Sequence, residues 1–556
     1  MSPSYRTSVD AGPISRDQLT ESEATPVTHE ERIVEPKPVY TSDTEHDDIE
    51  KGQTQDSDAR QAQGSSTSHP DRASLSEKPA SSRSEDGTVT DTLDENIVWW
   101  DGDDDPENPQ NWTKLRKYSN CLLISLLTFI EPLASSIFTP GVPELMRDFG
   151  SSNTELAAFV VSVYVLGFAF GPMVLAPLSE MIGRLPVYHC CNVLFLAFTA
   201  ACAVAPSLES LIAFRFLAGT FGAAPMTNGG GSIADMFKPE ERAAVMAGLS
   251  IGPLLGPIIG PVVGGALTEA KGWRWDFWVI TIVSGAIVAG MFFVMRESYA
   301  PVILERKARR LRKETGNILL RSKLDEGLSS SDLLKRAIVR PMRLLLFSPI
   351  CTIFAVYLAV VYGYLYLLFT SITYVFEDIY SFSTKTVGFV YLGLGIGCMA
   401  GMALFAWDSG REMKKNAGTE EMKPELRLKL LPAGAIVFPI GFFIYGWTTD
   451  YKTHWIAPII GLVVIGVSNL ICFMTICVYL VDAYERYAAS ALAANTIFRS
   501  IAGALLPLCG LGMYDKLGLG WGNTMLGLIA VALIPIPFLV LRFGEKLRKK
   551  YEIKDL

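Results

Sequence analysis

Residues 348–372 form an uninterrupted apolar run, which reads SPICTIFAVYLAVVYGYLYLLFTSI and contains no acidic or basic side chain. An α-helix rises about 1.5 Å per residue, so a run of this length can cross the roughly 30 Å of hydrocarbon in a bilayer. The helices of soluble proteins normally keep a polar face toward water, and this run has none. The run therefore predicts a transmembrane helix.

Comparable runs recur along the chain on both sides of this one. Six precede it, near residues 118–140, 156–177, 187–206, 209–231, 243–267 and 276–295. Five follow it, near residues 386–407, 428–447, 455–480, 487–513 and 521–543. Together they predict an all-α membrane protein with about twelve transmembrane helices.

The basic residues of the loops indicate how the helices are oriented. Lysine and arginine cluster between spans six and seven, from Arg306 to Arg343, and again after spans eight and twelve. The loops of the opposite side carry only scattered charges. Because cytosolic loops are enriched in lysine and arginine, we expect both termini and the central linker to be cytosolic.

The first 115 residues differ in composition from the remainder of the chain. They are rich in Ser, Thr, Asp, Glu and Pro and almost without aromatic residues before Trp99. Such a segment cannot bury enough apolar surface to offset its conformational entropy, so we expect a disordered cytosolic tail. It is either a platform for phosphorylation or a solvated tail without a regulatory role.

Several classes of function are excluded by what the sequence lacks. It has no basic patch with interleaved aromatic residues, so we expect no nucleic-acid partner. It has no phosphate-binding loop, so ATP does not drive it directly. Only five histidines are present, the nine cysteines lie mostly inside apolar runs, and no catalytic or metal-binding constellation is visible. We therefore expect no enzyme activity, no cofactor and no metal.

Ionisable residues inside the predicted spans are functional candidates, because a charge in the bilayer is costly. Glu131 lies about thirteen residues into span one, and helix arithmetic places Arg215 of span four at a similar depth, roughly 20 Å from the cytosolic side. We predict that Glu131 is a proton-coupling site or binds a cationic substrate. Arg215 is expected to tune the pKa of the Glu131 carboxyl. Alternatively, Glu131 only satisfies polar groups near the helix break at Pro132. Arg499 in span eleven requires a buried partner or an aqueous cavity.

Several short motifs resemble those of one transporter family. The loop after span two reads LSEMIGR over residues 178–184, and span four carries AFRFLAG over residues 213–219. Span five contains glycine and proline in regular repetition. Smaller motifs include Trp273-Arg274-Trp275, Tyr299-Ala300-Pro301 and Met513-Tyr514 followed by Leu517-Gly518. In this order the motifs resemble the major facilitator superfamily, in particular its fungal twelve-span drug:proton antiporters, although Ala176, Glu180, Met181 and Leu185 depart from the usual loop pattern.

The resemblance implies a major facilitator fold of two pseudo-symmetric six-helix bundles. The corresponding segments are the tail at residues 1–115, the first bundle at 116–298, the basic linker at 299–346, the second bundle at 347–543 and a cytosolic tail at 544–556.

The resemblance also implies roles for particular residues. A latch between the halves is expected from Glu180, Gly183 and Arg184, joined by Asp235. An antiporter-type helix that packs closely enough to seal the path against protons is expected from Gly252, Pro253, Gly256, Pro257, Gly260, Pro261 and Gly264. Alternatively, these residues serve helix packing alone and have no part in the direction of transport. From the residues of spans seven and eleven, candidates for the lining of a substrate cavity are Tyr357, Tyr362, Tyr364, Tyr366, Phe369 and Arg499. The aromatic residues of span seven cannot all share one face of a helix, so we expect some of them to be packing or membrane-interface residues instead.

We therefore expect a proton-coupled antiporter that exports a drug, toxin or secondary metabolite by alternating access. Its partners are a small apolar or cationic organic substrate, protons and the lipid bilayer, and we expect a monomer in the plasma membrane, with the vacuolar membrane as the alternative. A transporter of polyamines or other organic cations is the alternative function. A membrane sensor or scaffold that transports nothing is the second alternative.

Overall fold

The computed structural model describes residues 96–325, 330–415 and 424–551, and the described chain is predominantly α-helical. The first half of the chain contains α1 (Lys114–Ser136), α2 (Val142–Asp148), α3 (Thr154–Ile182), α4 (Arg184–Ala203), α5 (Leu208–Gly222), α6 (Ala224–Met236), α7 (Pro239–Lys271) and α8 (Arg274–Val294). The linker contains α9 (Ala300–Thr315) and α10 (Ser330–Phe347). The second half contains α11 (Pro349–Tyr380), α12 (Thr384–Lys415), α13 (Leu431–Asp450), α14 (Ile456–Tyr484), α15 (Ala488–Leu505), α16 (Gly510–Leu533) and α17 (Pro535–Lys550).

Short elements complete the fold. The strands β1 (Ile97–Val98) and β2 (Arg321–Ser322) pair in parallel. Single turns of 3-10 helix cover Pro109–Asn111, Thr139–Gly141, Pro424–Leu430, Glu485–Tyr487 and Leu506–Cys509.

Every apolar run predicted to span the membrane coincides with helix. Within the described residues, ten helical stretches are long and apolar enough to cross a bilayer. The number falls below twelve because span four is divided at Ala223 into α5 and α6, with Pro225 in the first turn of α6. In addition, spans eleven and twelve run together from Ala488 to Lys550, interrupted by a 3-10 turn and by Gly518, whose φ is +74°.

Each half packs around its own apolar core. In the first half α1 packs on α7 and α8, α3 packs on α5, and α4 packs on α5 and α8. In the second half α14 packs between α12 and α13, and α13 also contacts α16. The linker helices α9 and α10 lie at one end of the helical bundle, which we call the linker end.

The two halves contact each other at the end opposite the linker. The Ser162 hydroxyl donates to the carbonyl of Ala504 at 2.8 Å, and the Thr373 hydroxyl donates to the carbonyl of Thr139 at 3.3 Å. On α7 and α12, the backbone N–H of Lys385 donates to the Glu269 carboxylate at 3.0 Å. Because α7, α11 and α15 begin at the linker end, these contacts lie in the half of each helix farther from it.

A segment before α1 is docked on the linker. Strand β1 pairs with β2, and the Lys307 ammonium of α9 donates to the carbonyl of Trp99 at 3.1 Å. The same ammonium lies 2.7 Å from Asp101 and 3.4 Å from Asp105, and Lys307 and Asp105 are buried. The disorder predicted for residues 1–115 is therefore wrong for residues 96–115, because these contacts compensate for the scarcity of apolar residues. Residues 1–95 lie outside the described chain.

The electrostatics of this docked segment are centred on Asp105. Burial by itself raises the pKa of this carboxyl. The backbone N–H groups of Asp101 and Glu107 donate to it at 2.8 Å each, and Lys307 adds an ion pair. These interactions outweigh burial and lower the pKa of Asp105 below its ordinary value.

Candidate functional site

A cavity of about 270 Å³ lies between the two halves, on the linker side of the contacts that join them. The first half contributes apolar side chains, among them Phe168, Met226 and Leu254. The second half contributes aromatic residues and the polar side chains of Asn469 and Arg499. Arg499 is the only ionisable acid or base, tyrosine and cysteine aside, among the described residues of this lining.

The aromatic residues of α11 divide between two faces of the helix. Tyr362, Tyr366 and Phe369 line the cavity, with ring centres 5.1 Å apart for the first pair and 5.5 Å for the second. Their spacing of four and three residues places them on one face. Tyr357 and Tyr364, two of the candidates, do not line the cavity, in keeping with the expectation that these aromatic residues cannot all share one face.

Tyr357 and Tyr364 face the core of the second half instead. The Tyr364 hydroxyl donates to the carbonyl of Leu526 at 3.1 Å, and the Tyr357 hydroxyl lies 3.6 Å from the sulfur of Cys472. The two tyrosines are seven residues apart and so share a face. At 100° per residue this face lies about 140–160° around the helix from Tyr362. Composition alone does not distinguish these two faces of α11.

Arg499 projects into the cavity from α15 and is only 8% exposed. Its guanidinium carbon lies 4.7 Å from the ring centre of Tyr362 and 4.9 Å from that of Phe473. No described residue accepts a hydrogen bond from this guanidinium, and no described carboxylate lies within ion-pair distance. Arg499 therefore lies at a cavity rather than beside a described acidic partner, and whether this cavity is aqueous, as predicted, stays a prediction.

Glu131 is completely buried in α1. Neither of its carboxyl oxygens has a hydrogen-bond partner among the described residues. The hydroxyl of Tyr164 donates to the backbone carbonyl of Glu131 at 3.2 Å, but not to its side chain. The alternative in which the carboxyl satisfies polar groups near the break at Pro132 therefore has no contact in its favour. Pro132, the next residue, lines the cavity.

Arg215 is buried near Glu131 but does not form an ion pair with it among the described residues. Its guanidinium donates to four backbone carbonyls, those of Val160, Val161, Ala134 and Ser135, at 2.7 to 3.4 Å. Its carbon also lies 4.1 Å from the ring centre of Phe138. Arg215 therefore joins α5 to α1 and α3. Tyr164 contacts both residues, through a hydrogen bond to the Glu131 carbonyl and a ring centre 5.1 Å from the Arg215 guanidinium carbon. The common depth of the two residues and the tuning role of Arg215 stay predictions.

The turn between α3 and α4 is closed by an acidic residue that the sequence did not reveal. The Glu297 carboxylate accepts the backbone N–H of Arg184 at 2.9 Å and that of Leu185 at 3.3 Å. It lies against Gly183, whose φ of +106° and lack of a side chain permit this approach. Glu297 accounts for the tight turn better than the glycine alone.

The arginine of this turn makes its described polar contacts within the first half. The Arg184 guanidinium lies 2.6 Å from the Ser179 hydroxyl and 3.5 Å from Asp235. Glu180 is exposed at the end of α3 and also has an interaction partner. The predicted latch residues Gly183, Arg184 and Asp235 are thus brought together, whereas their action between the halves stays a prediction.

The glycines of α7 allow two close helix contacts. A Cβ atom at Gly252 would lie 2.9 Å from the backbone nitrogen of Phe129, and one at Gly256 would lie 2.8 Å from that of Leu133. Gly260 and Gly264 continue this row against α1, whereas Gly265 approaches the carbonyl of Thr384 on α12. Pro253 and Pro257 line the cavity, and Pro261 lies against Gly388 of α12. The predicted antiporter-type helix is therefore packed on both halves.

Asn469 is a cavity residue that the sequence analysis missed. Its amide donates to the carbonyl of Val361 at 3.1 Å, which joins α14 to α11. A signal was present, because Asn469 is a polar residue in an otherwise apolar run. Phe473 and Met474 lie one turn further along and carry no comparable signal.

Comparison with known proteins extends across most of the chain. Residues 124–507 match the family model described as the Major Facilitator Superfamily. An "MFS-type transporter tndD" of Aspergillus flavipes is 54% identical over 82% of this chain and 86% of that protein. An "Efflux pump radE" of Floropilus chiversii is 48% identical over 83% of this chain and 87% of that protein.

Solved structures share the fold at low sequence identity. A bacterial homologue of the human lysosomal transporter Spinster, in an inward-facing conformation, has a TM-score of 0.57 at 13% identity and covers 80% of this chain and 100% of its own. The inward-open xylose transporter XylE of E. coli has a TM-score of 0.56 at 14% identity, over 76% of this chain and 96% of its own. At this identity the likeness concerns the arrangement of the helices alone.

Proposed function

Because the chain belongs to the Major Facilitator Superfamily and is a membrane transporter rather than an enzyme, we propose that it exchanges protons for a small organic molecule, which it exports. The substrate is a drug, toxin or secondary metabolite with a largely apolar surface. Export is supported by the name of the relative called an efflux pump. The alternative of a sensor that transports nothing has no support among these relatives.

The observation that carries proton coupling is the buried carboxyl of Glu131, which has no hydrogen-bond partner among the described residues. An ionised carboxylate without a partner is very costly in a buried site, so the neutral acid is the form that suits this conformation. Glu131 directly precedes Pro132, which lines the cavity. When α1 moves and water reaches this position, the proton can leave. One carboxyl then carries one proton in each transport cycle.

The direction of access follows from the linker. If the basic linker and both termini are cytosolic, the cavity lies on the cytosolic side of the contacts that join the halves. The bundles at residues 116–298 and 347–543 then rock about the cavity, which opens in turn to each side of the plasma membrane. In this cycle the close packing of α7 on α1 and α12 seals the path against proton leak. The turn with Glu180, Gly183 and Arg184 latches the cytosolic side when it closes.

The alternative of a polyamine or another organic cation lacks a counter-charge in the cavity. A buried cation is normally paired with a carboxylate, and no aspartate or glutamate lines the described part of this cavity. The carboxyl of Glu131 is completely buried and does not reach it. The lining therefore favours an apolar substrate over a cationic one.

Transport by the purified chain in liposomes tests the proposal. The lumen is made one pH unit more acidic than the medium, the membrane potential is clamped with potassium and valinomycin, and uptake of neutral coumarin dyes is measured. One exchanged proton corresponds to about 1.4 kcal/mol per pH unit, so a transported dye should accumulate up to roughly tenfold. In Glu131→Gln, accumulation should fall to the level of protein-free liposomes, while dye exchange down its own gradient persists.

Glu155→Gln is the matched control, because Glu155 is an exposed acid on α3. This variant should accumulate dye as the unmodified chain does. Gradient-driven accumulation that survives unchanged in Glu131→Gln would exclude Glu131 as the coupling residue. A chain that moves none of the dyes under a gradient would contradict proton-coupled export of small apolar molecules.

A further inference from the structure

Among the described residues that line the cavity, Arg499 carries the one formal charge, and no described carboxylate pairs with it. Its described lining is apolar and aromatic except for a few hydroxyl groups, a thiol, the amide of Asn469 and the guanidinium of Arg499. A cavity built only to hold hydrocarbon would not need a guanidinium, because burying a charge without a partner is costly. The arginine therefore requires an explanation that apolar binding does not supply.

Arg215 is a buried arginine whose guanidinium is hydrogen-bonded within the protein, and it provides a comparison for Arg499. It is 1% exposed, and four backbone carbonyls accept hydrogen bonds from its guanidinium. Arg499 is 8% exposed and has no described acceptor, although it lines the cavity. Of these two arginines, Arg499 is the one whose guanidinium is not hydrogen-bonded to a described residue and can bind a ligand.

The surroundings of Arg499 hold it in a defined position. Tyr362 and Phe473 contact its guanidinium at 4.7 and 4.9 Å from their ring centres. Aromatic faces stabilise the cation and leave the N–H groups at the edge of the guanidinium plane available. These groups form a fork that fits the two oxygens of a carboxylate. Tyr366 and Phe369 extend an aromatic wall beside this fork.

We infer that the cavity binds an organic acid, in which a carboxylate pairs with Arg499 and an aromatic or other planar apolar body packs on the wall formed by Tyr362, Tyr366 and Phe369. This inference rests on the proposed transport function and specifies its substrate class. The carboxylate supplies the acceptors that the protein withholds from Arg499. A cationic molecule is repelled by the same residue.

Binding measured without any gradient tests the inference separately from transport. The purified full chain in lipid nanodiscs is dialysed to equilibrium against three probes of similar shape, namely 1-naphthoate, 1-naphthamide and 1-naphthylmethylammonium. The carboxylate should bind at least tenfold more tightly than the amide, because charge-assisted hydrogen bonds are the stronger ones. The ammonium probe should bind most weakly.

Variants of Arg499 identify the group responsible. Arg499→Gln should weaken binding of 1-naphthoate by about tenfold or more and that of 1-naphthamide by less than threefold. Retained binding of the amide shows that the variant is folded. Arg499→Lys keeps the charge without the planar fork and should fall between the two. Arg542→Gln removes an exposed arginine of α17 and should change neither affinity.

The inference is overturned if the three probes bind alike, if none binds, or if the ammonium binds most tightly. An equal loss of both affinities in Arg499→Gln, with Arg499→Lys unchanged, also overturns it. Carboxylate binding that depends on Arg499 supports it even if Glu131→Gln still accumulates dye. In that case the proton site is wrong and the substrate class stands.

Discussion

Replacing Gly256 by alanine tests the close contact between α7 and α1. The added Cβ would lie 2.8 Å from the backbone nitrogen of Leu133 and 2.8 Å from the carbonyl oxygen of Phe129. Non-bonded heavy atoms make favourable contact from about 3.5 Å, so the two backbones must separate by roughly 0.7 Å. Backbone atoms within helices cannot rotate away as a side chain can. Overpacking of this kind costs about 1–3 kcal/mol, and the midpoint of thermal unfolding should fall by about 2–6 °C.

Gly248 provides the matched control on the same helix. A Cβ at Gly248 would have no heavy atom within 4 Å. Alanine is the better helix former, so Gly248→Ala should leave the unfolding midpoint unchanged or raise it. Unfolding of both variants is followed in the same detergent by thiol labelling of buried cysteines. A midpoint for Gly256→Ala equal to or above that of Gly248→Ala would refute the packing argument.

Two further predictions concern the docked segment at residues 96–113. Lys307→Ala should release this segment, because the substitution leaves the buried carboxylate of Asp105 without its cation. Amide hydrogen exchange at Arg321 and Lys323 should then rise at least tenfold. Lys313→Ala, which removes an exposed lysine of α9, should leave this exchange unchanged. Because the pKa of Asp105 is lowered on folding, its contribution to docking is complete above the ordinary value of 3.8 and is lost as the pH falls through the lower folded value. A fluorophore on the docked segment and a quencher on α9 should therefore report constant docking from pH 7 to about 4 and release of the segment below that pH. An Asp105→Asn variant that shows the same release in acid would contradict the assignment of this release to Asp105.

The membrane-spanning helices were predictable from sequence because bilayer thickness sets their length independently of their neighbours. Residues 348–372 and the other apolar runs all coincide with helix. The division of span four at Ala223 was not predicted, although Pro225 is a visible helix-breaking signal. The docking of residues 96–113 was not predictable either, because it depends on a lysine about two hundred residues away in α9.

The site was predicted less completely than the helices, because sequence gives depth in the membrane but not direction around a helix. Depth arithmetic predicted a similar depth for Glu131 and Arg215. It did not reveal that Arg215 bonds backbone carbonyls, two of which belong to the last turn of α1, where carbonyls lack helical partners. It also did not separate Tyr364, which faces the core, from Tyr366, which faces the cavity.

Helix α1 connects the proposed proton site to the proposed substrate site, since consecutive residues of it serve both. Glu131 faces the interior of the first half, Pro132 lines the cavity, and Ser135 lies 3.4 Å from the hydroxyl of Tyr366 across the interface. The glycines of α7 hold this helix at close range. A shift of α1 that wets Glu131 must therefore also alter the cavity wall at Pro132, and the reverse follows by linkage. We expect proton binding and substrate binding to compete through this helix, so that proton release from Glu131 favours substrate binding even though the two sets of residues do not touch.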